Sequence, residues 1–367
     1  MVRLFATTAL VGTLALAAVP ARAEMEVTVG GYVGFQAAMF DTDTANSTKR
    51  DFQSESEVHV EANGKTDQGL AYGAYIELMT STSDSTNADE ANIYISGNFG
   101  KVELGDQDGA ASVLTVYAPY VGIGQAMGSF ADFVPAADRA FTPSEGPSDP
   151  NFKAIDTADA TKVTYYTPRF SGFQLGVSYA PERDNQADGE QVQFSSNTGN
   201  HDNAFEFGLN YDNKFGDVGV KAGAGYVMAD AKTGATVEDI RSYSLGAQVS
   251  YAGFAFGGGY TNNGDSGLTL GVANDDVSYW DMGLTYTSGA WGVGASIVQA
   301  DFDTNGTPFG VAGISGSGGD FTAAGFGGTY KIAPGLTAGA DLMFYERNRT
   351  GNDKNGYVAI TEVRAAF

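Results

Sequence analysis

The connections between the extended segments of this chain alternate strictly between long and short, and no other feature constrains its fold as much. Sixteen segments have the period-2 side-chain pattern of strands. The first, residues 25–40, puts Val27, Val29, Val33, Phe35 and Met39 on one face and Glu26, Thr28 and Gln36 on the other. The second contains Glu57-Val58-His59-Val60-Glu61 and the third spans 70–78. The rest centre on Ile93, Val102, Tyr165, Val177, Phe207, Val220, Leu245, Phe256, Leu284, Val293, Phe326, Leu342 and Ile360. Short turns lie near Gly64, Gly100, Gly172, Gly216, Gly253, Gly289 and Gly335. Long polar connections fall at 41–50, 81–87, 108–159, 182–202, 230–238, 262–276, 303–318 and 348–354. Such an order puts every long connection at one end of an antiparallel meander. A closed transmembrane β-barrel of sixteen strands sorts its loops this way. A soluble sandwich or propeller has no reason to.

Both chain ends agree with that reading. In the last segment Tyr357, Ala359, Thr361, Val363, Ala365 and Phe367 make a mostly apolar face, with Ile360, Glu362, Arg364 and Ala366 on a more polar one. Stopping on Phe367 in mid-strand suits a barrel, because the final strand pairs with the first. At the other end Arg3, an apolar stretch over 4–19 and Ala21-Arg22-Ala23 before Glu24 have the form of a secretory signal. Residues 1–23 are expected to be removed between Ala23 and Glu24, leaving 24–367 as the barrel. The apolar stretch, about 16 residues, falls short of the ~20 that span a bilayer, and Pro20 interrupts it.

Mean hydropathy is −0.16, which a lipid-facing and lumen-facing alternation produces by averaging. Cleavage removes Arg3 and Arg22, so 18 of the 20 basic residues face 44 acidic ones, a net charge of −26. That balance excludes nucleic acid as a partner, since a phosphate backbone would be repelled. The absence of cysteine removes disulfides, thiol catalysis and thiolate metal sites together. Glycine, at 50 residues, recurs inside strands as at Gly219, Gly223, Gly225 and 257–259. There it removes volume, as a wall facing a lumen or another subunit requires.

One connection is out of scale. Residues 108–159 form a loop of about fifty residues, where loops beyond ~15 are usually functional. It holds Val113, Leu114, Val116, Tyr117, Val121, Ile123, Met127, Phe130, Phe133 and Val134, more apolar content than a loop in water would carry. Folding back into the barrel would bury those side chains and narrow the lumen; an external cap or a subunit contact are the alternatives.

The final Phe367 resembles the C-terminal assembly signal of Gram-negative outer-membrane barrels. Residues 91–106, Ala-Asn-Ile-Tyr-Ile-Ser-Gly-Asn-Phe-Gly-Lys-Val-Glu-Leu-Gly-Asp, are similar to the strand–turn–strand that leads into the constriction loop of general diffusion porins. Asp106-Gln107-Asp108-Gly109-Ala110 resembles the alphaproteobacterial, Rhodobacter-like branch, and residues 162–179 resemble the strand pair after that loop. The resemblance covers the whole mature chain. It implies a homotrimer of sixteen-stranded barrels in the bacterial outer membrane, each with the third external loop, 107–160, folded inward as an eyelet. It also implies passage of small hydrophilic solutes by diffusion, contact with outer-membrane lipid and lipopolysaccharide, and insertion by the barrel-assembly machinery.

The family sets acidic groups on the inserted loop against basic groups on the wall. The acidic side is well supplied here by Asp106, Asp108, Asp132, Asp138, Glu145, Asp149, Asp156 and Asp159. The wall departs from the pattern. Where the family stacks arginines, the second segment points Glu57, His59 and Glu61 the same way, with Lys162 and Arg364 as further wall candidates. Modest cation selectivity is the expectation. Enzyme chemistry is not expected: only His59 and His201 are present, His201 is read into a polar loop, and no G-x-S-x-G precedes a helix. Asp41/Asp43 and Asp301/Asp303 offer oxygen ligands to calcium, yet neither continues into an EF-hand, and no cofactor is expected. A substrate-specific channel, with Tyr117 and Tyr120 as a sugar-stacking track, and a plugged structural or adhesive barrel are the alternatives.

Overall fold

The computed structural model describes residues 25–43, 48–79, 88–135, 154–183, 201–268, 270, 277–302, 319–349 and 353–367. Sixteen strands run through them. The first eight are β1 Glu26–Thr42, β2 Arg50–Lys65, β3 Ala71–Met79, β4 Ala88–Gly97, β5 Gly100–Asp106, β6 Thr161–Tyr166, β7 Phe173–Glu182 and β8 His201–Phe215. The second eight are β9 Val218–Ala231, β10 Ile240–Tyr251, β11 Phe254–Gly264, β12 Val277–Ser288, β13 Trp291–Phe302, β14 Gly319–Ala333, β15 Leu336–Arg349 and β16 Lys354–Ala366. Every segment expected from the period-2 pattern is one of these strands. Each pairs antiparallel with its sequence neighbours, and β16 closes on β1 to complete a barrel.

Closure runs from Tyr32 opposite Ala366 to Thr42 opposite Gly356. Beyond the last pair, the Phe367 N–H donates to the Gly31 carbonyl at 3.0 Å and the Gly31 N–H to the Phe367 carbonyl at 3.1 Å. The ladder thus continues through the last residue. Its side chain points out beside the exposed Val363.

The outward face is apolar. Val29, Phe35, Leu209, Leu245, Phe256, Leu284 and Phe326 are all exposed on it, a surface that water would penalise and lipid tails accept. Near the short turns aromatic rings pair across strands: Phe173 with Tyr211 at 4.6 Å, Phe254 with Tyr286 at 4.5 Å, and Trp291 with Tyr330 at 4.5 Å. Rings at this level form the girdle of a membrane barrel.

The opposite face is less uniformly polar than alternation alone suggests. On β16 Ile360, expected on the polar face with Glu362, is buried, as is Val358 two residues before it. They join Phe40, Tyr279, Val298, Phe321, Met343 and Tyr345 in a cluster with Ile123, Phe130, Phe133 and Val134 of the large connection. His201, expected in a polar loop, begins β8 instead; it is buried, with Nε2 2.9 Å from the Glu238 carbonyl oxygen.

Short turns use the left-handed region. Ala252 and Gly253 have φ of 49° and 87°, the pair of positive values whose twist matches two antiparallel strands. A Cβ on Gly253 would stand 2.5 Å from the Thr287 carbonyl oxygen. Gly253→Ala should therefore destabilise the refolded barrel by about 1–2 kcal/mol, read as a lower urea midpoint with an unchanged slope.

Candidate functional site

The connection between β5 and β6 enters as an extended stretch and then forms a short helix, α1 Ala110–Leu114. Two 3₁₀ turns follow, Gln125–Met127 and Ser129–Phe133. None of these is long enough to hold its own shape in isolation. What positions them is the wall, strand after strand.

Polar side chains opposite the apolar belt take up the backbone N–H groups of this segment. Ser178 Oγ on β7 accepts from Ala110 N at 2.8 Å, and Glu206 on β8 accepts from Ala111 N at 3.0 Å. The hydroxyl of Ser244 on β10 lies 2.9 Å from that of Thr115 in the connection. Asp281 on β12 accepts from Ala118 N, and Ser296 on β13 accepts from Ala126 N at 2.9 Å. Asp341 on β15 accepts from Gln125 N at 2.7 Å and from its Nε2 at 2.8 Å. Further round, Gln36 of β1 donates to Ser129 Oγ at 3.3 Å and Gln53 of β2 to Asp132 at 3.0 Å. The returning strand shares the same device: Glu206 also accepts from Thr157 N at 2.8 Å and Thr157 Oγ1 at 2.6 Å. Glu206 is thus satisfied by three donors from both arms of the connection.

Glycines make the room. A Cβ on Gly208 would stand 2.2 Å from the Ala110 carbonyl oxygen, and one on Gly223 2.5 Å from that of Leu114. On Gly246 it would be 1.7 Å from the Val116 oxygen, and on Gly283 2.6 Å from that of Pro119. The segment's backbone runs in the space these absent side chains leave. Of the strand glycines conspicuous in the sequence, Gly223, Gly225 and Gly259 border this connection, whereas Gly219, Gly257 and Gly258 border neighbouring strands. The sequence carries a signal for the pairing that composition hides. On six strands a small or acidic acceptor and a glycine sit two apart on one face: Gly176/Ser178, Glu206/Gly208, Ser244/Gly246, Asp281/Gly283, Gly294/Ser296 and Gly339/Asp341.

The residues singled out from sequence are distributed as follows. Asp106 accepts from Thr161 Oγ1 across the mouth of the connection. Asp108 donates its backbone N–H to Glu90 at 3.4 Å. Asp132 is held by Gln53, and Asp156 is buried and accepts from Ala158 N at 3.0 Å. Asp138, Glu145 and Asp149 lie outside the described residues. Loss of solvent, reinforced by the negative charges of Asp89, Asp108 and Glu90 and opposed by Lys162, pushes the Asp159 carboxyl up to about 8.

On the wall, Glu57, His59 and Glu61 share one face of β2. His59 Nε2 lies 3.1 Å from Glu57 Oε2 and 3.6 Å from Glu77 Oε2. Lys162 is buried and donates to the Gln107 and Ala158 carbonyls, tying the two ends of the connection together. Arg364 lies 3.6 Å above the Tyr32 ring and donates to Glu55 at 3.4 Å. Asp41 is ion-paired with Lys49, and Asp43 accepts from Asn355 N at 2.9 Å. Asp301 accepts from Gln299 at 3.3 Å, while Asp303 lies outside the described residues. A cavity of ≈ 730 Å³ opens between the connection and β2–β7, lined by Glu61, Tyr75, Glu90, Lys101, Glu103, Asp108 and Tyr166 among others.

Removing one acceptor strands its donors. Glu206→Ala leaves two buried backbone N–H groups without it, at about 1–3 kcal/mol each. Residues 107–160 should become open to limited proteolysis, while circular dichroism reports an intact barrel.

Comparison with known proteins agrees with this architecture. The porin of Rhodobacter capsulatus is 26% identical over 298 residues, covering 71% of this chain and 90% of its own. The anion-selective porin from Comamonas acidovorans has a TM-score of 0.62 at 17% identity, covering 94% of this chain and 100% of its own. OmpT, an outer membrane protein of Vibrio cholerae, in its trimer form, has a TM-score of 0.59 at 16% identity, covering 93% and 99%. The family model describing Gram-negative porins matches residues 6–350, and with a closed sixteen-stranded barrel carrying it, this chain belongs to the Gram-negative porin family.

Proposed function

We propose that this porin is a water-filled outer-membrane channel for passive diffusion of small hydrophilic solutes and ions, with residues 107–160 folded into the lumen as its constriction. One observation carries the reading. The connection bonds, strand by strand, to side chains on the face opposite the apolar belt, from β7 through β15 and on to β1 and β2. A segment outside the barrel would have no access to that face around so much of the circumference. The leader 1–23, removed between Ala23 and Glu24, and recognition of Phe367 by the assembly machinery belong to the same proposal. So does a homotrimeric state, supported by the fold shared with the trimer form of OmpT.

The eyelet favours cations. Among the described residues lining the cavity beside the connection, Glu61, Glu90, Glu103 and Asp108 face Lys101 alone as a basic side chain, and Lys101 is paired with Glu103. Lys162 and Arg364 are engaged by carbonyls and by Glu55 and Tyr32. Of the wall candidates beside His59, Glu57 adds a carboxylate to that of Glu61, as do Asp106 at the entry to the connection and Asp132, Asp156 and Asp159 on it. Carboxylates around a constriction concentrate cations. The fold itself leaves the sign open, since the Comamonas acidovorans porin that shares it is anion-selective.

Deleting residues 113–143 should raise single-channel conductance in planar bilayers and the size cutoff for sugar uptake in liposome swelling. Inter-strand hydrogen bonds, which the connection does not supply, keep the wall closed. Unchanged conductance would put the connection outside the lumen. Selectivity should also depend on pH. Asp159 is neutral well below pH 8 and a carboxylate above it, so the reversal potential in a potassium chloride gradient should move towards potassium as pH rises from 7 to 9. Asp159→Asn should flatten that rise, and a potential that favours chloride throughout would defeat the cation reading.

A further inference from the structure

Glu57, His59 and Glu77 come together on two adjacent strands with a geometry that ion pairing alone leaves unexplained. His59 on β2 stands directly opposite Glu77 on β3, and Glu57 lies two residues away on the same face. The ligand atoms of the three lie within 4.8 Å of one another. Both carboxylates approach the same imidazole nitrogen: Nε2 is 3.1 Å from Glu57 Oε2 and 3.6 Å from Glu77 Oε2. A protonated imidazole has a single hydrogen on that nitrogen. It satisfies Glu57 and leaves Glu77 beyond hydrogen-bond range.

We infer that Glu57, His59 and Glu77 form a binding site for one divalent cation of the zinc class, held by the imidazole Nε2 and two carboxylate oxygens. An ion with ligands at ~2.0–2.2 Å in a tetrahedral arrangement sets its ligand atoms ~3.4 Å apart. The two separations from Nε2, 3.1 and 3.6 Å, bracket that spacing. The carboxylates are also oriented by tyrosines. Tyr32 Oη donates to Glu57 Oε1 at 2.6 Å, which leaves Oε2 facing His59, and Tyr75 Oη donates at 2.5 Å to Glu77 Oε2, the oxygen that itself faces His59. Such supporting hydrogen bonds fix carboxylate ligands in metal sites. The imidazole is what selects the ion: calcium and magnesium take oxygen donors, whereas zinc, nickel and copper accept nitrogen. His59 keeps 31% of its side-chain surface, so an ion has a way in. Tyr75 connects the site to the cavity lined by Glu61, Glu90 and Asp108, whose charge raises the local concentration of cations. Binding would put two positive charges on the wall where the family has arginines, and reduce cation current. That consequence rests on the channel reading; the site itself does not.

Two measurements on the purified, folded protein test the site. Titration with Zn²⁺ by calorimetry should give one ion per chain at micromolar affinity, weakened at least about 10-fold in His59→Gln and in Glu77→Gln. Ca²⁺ should bind more weakly and be indifferent to His59→Gln. With Cu²⁺ as the probe, electron paramagnetic resonance should show nitrogen hyperfine splitting that His59→Gln removes. The chain has two histidines, and His201 is buried against Glu238, so the assignment is unambiguous. Zinc binding that is unchanged in His59→Gln, or copper without nitrogen coupling, would overturn the site and leave His59 as a hydrogen-bonding side chain between carboxylates. Zinc binding with no change in bilayer current would uphold the site and count against this face as channel wall.

Discussion

The structure depends on one constraint: inside a bilayer no water is present to take the backbone hydrogen bonds of an open sheet edge. Each strand of this chain is paired on both sides, and the seam between β1 and β16 removes the last edge. The outward apolar belt and the aromatic pairs near the short turns follow from the same constraint, because the solvent outside the wall is hydrocarbon. Once the wall is closed, its other face is free to take on roles that a packed core would forbid. It carries carboxylates, hydroxyls and glycines in an order that neither strand propensity nor sheet stability explains.

That order is explained by the connection between β5 and β6. An irregular backbone laid against a wall brings a row of N–H groups and carbonyls that need partners. The wall answers with acceptors on β7, β8, β12, β13 and β15, and with glycines beside them where the backbone comes closest. Hydrogen bonds aim the segment, and the missing side chains set its distance. The apolar residues of the same segment close the arrangement at the far side, where Phe130, Phe133 and Val134 meet Phe40, Val358 and Ile360. A carboxylate such as Glu206 is tolerable in so buried a place because three donors converge on it. The groups that hold the connection are thus drawn from the same population of carboxylates and hydroxyls that lines this face of the wall.

The basic residues show how position overrides type. Lys162 and Arg364 lie on inward-facing strand positions, as alternation requires. Their charges are nevertheless engaged, one by the carbonyls of Gln107 and Ala158 and the other by Glu55 and the Tyr32 ring. Counting Lys and Arg on the wall thus overstates the positive potential available to a solute. In the same way His59, the one basic side chain among the wall candidates Glu57, His59 and Glu61, presents a nitrogen shared by two carboxylates.

The sequence by itself determined the number of strands, their order, the faces they present to lipid and the end at which the long connections gather. It could do so because these are local properties: a period of two, a glycine at each tight turn, and a hydrophobic set on one side. It also marked 107–160 as exceptional by length and apolar content. Which wall residues hold that connection was decided only by the tertiary structure. Glu206, Asp281 and Asp341 are 95, 163 and 216 residues away from their backbone partners, and no local pattern reports a contact across a closed barrel. Their signature, an acceptor and a glycine two apart, becomes readable once closure is known, because closure brings six separate strands under one passing segment. Burial of Val358 and Ile360 has the same origin. Alternation decides which way a side chain points, and only the completed wall decides what it meets there.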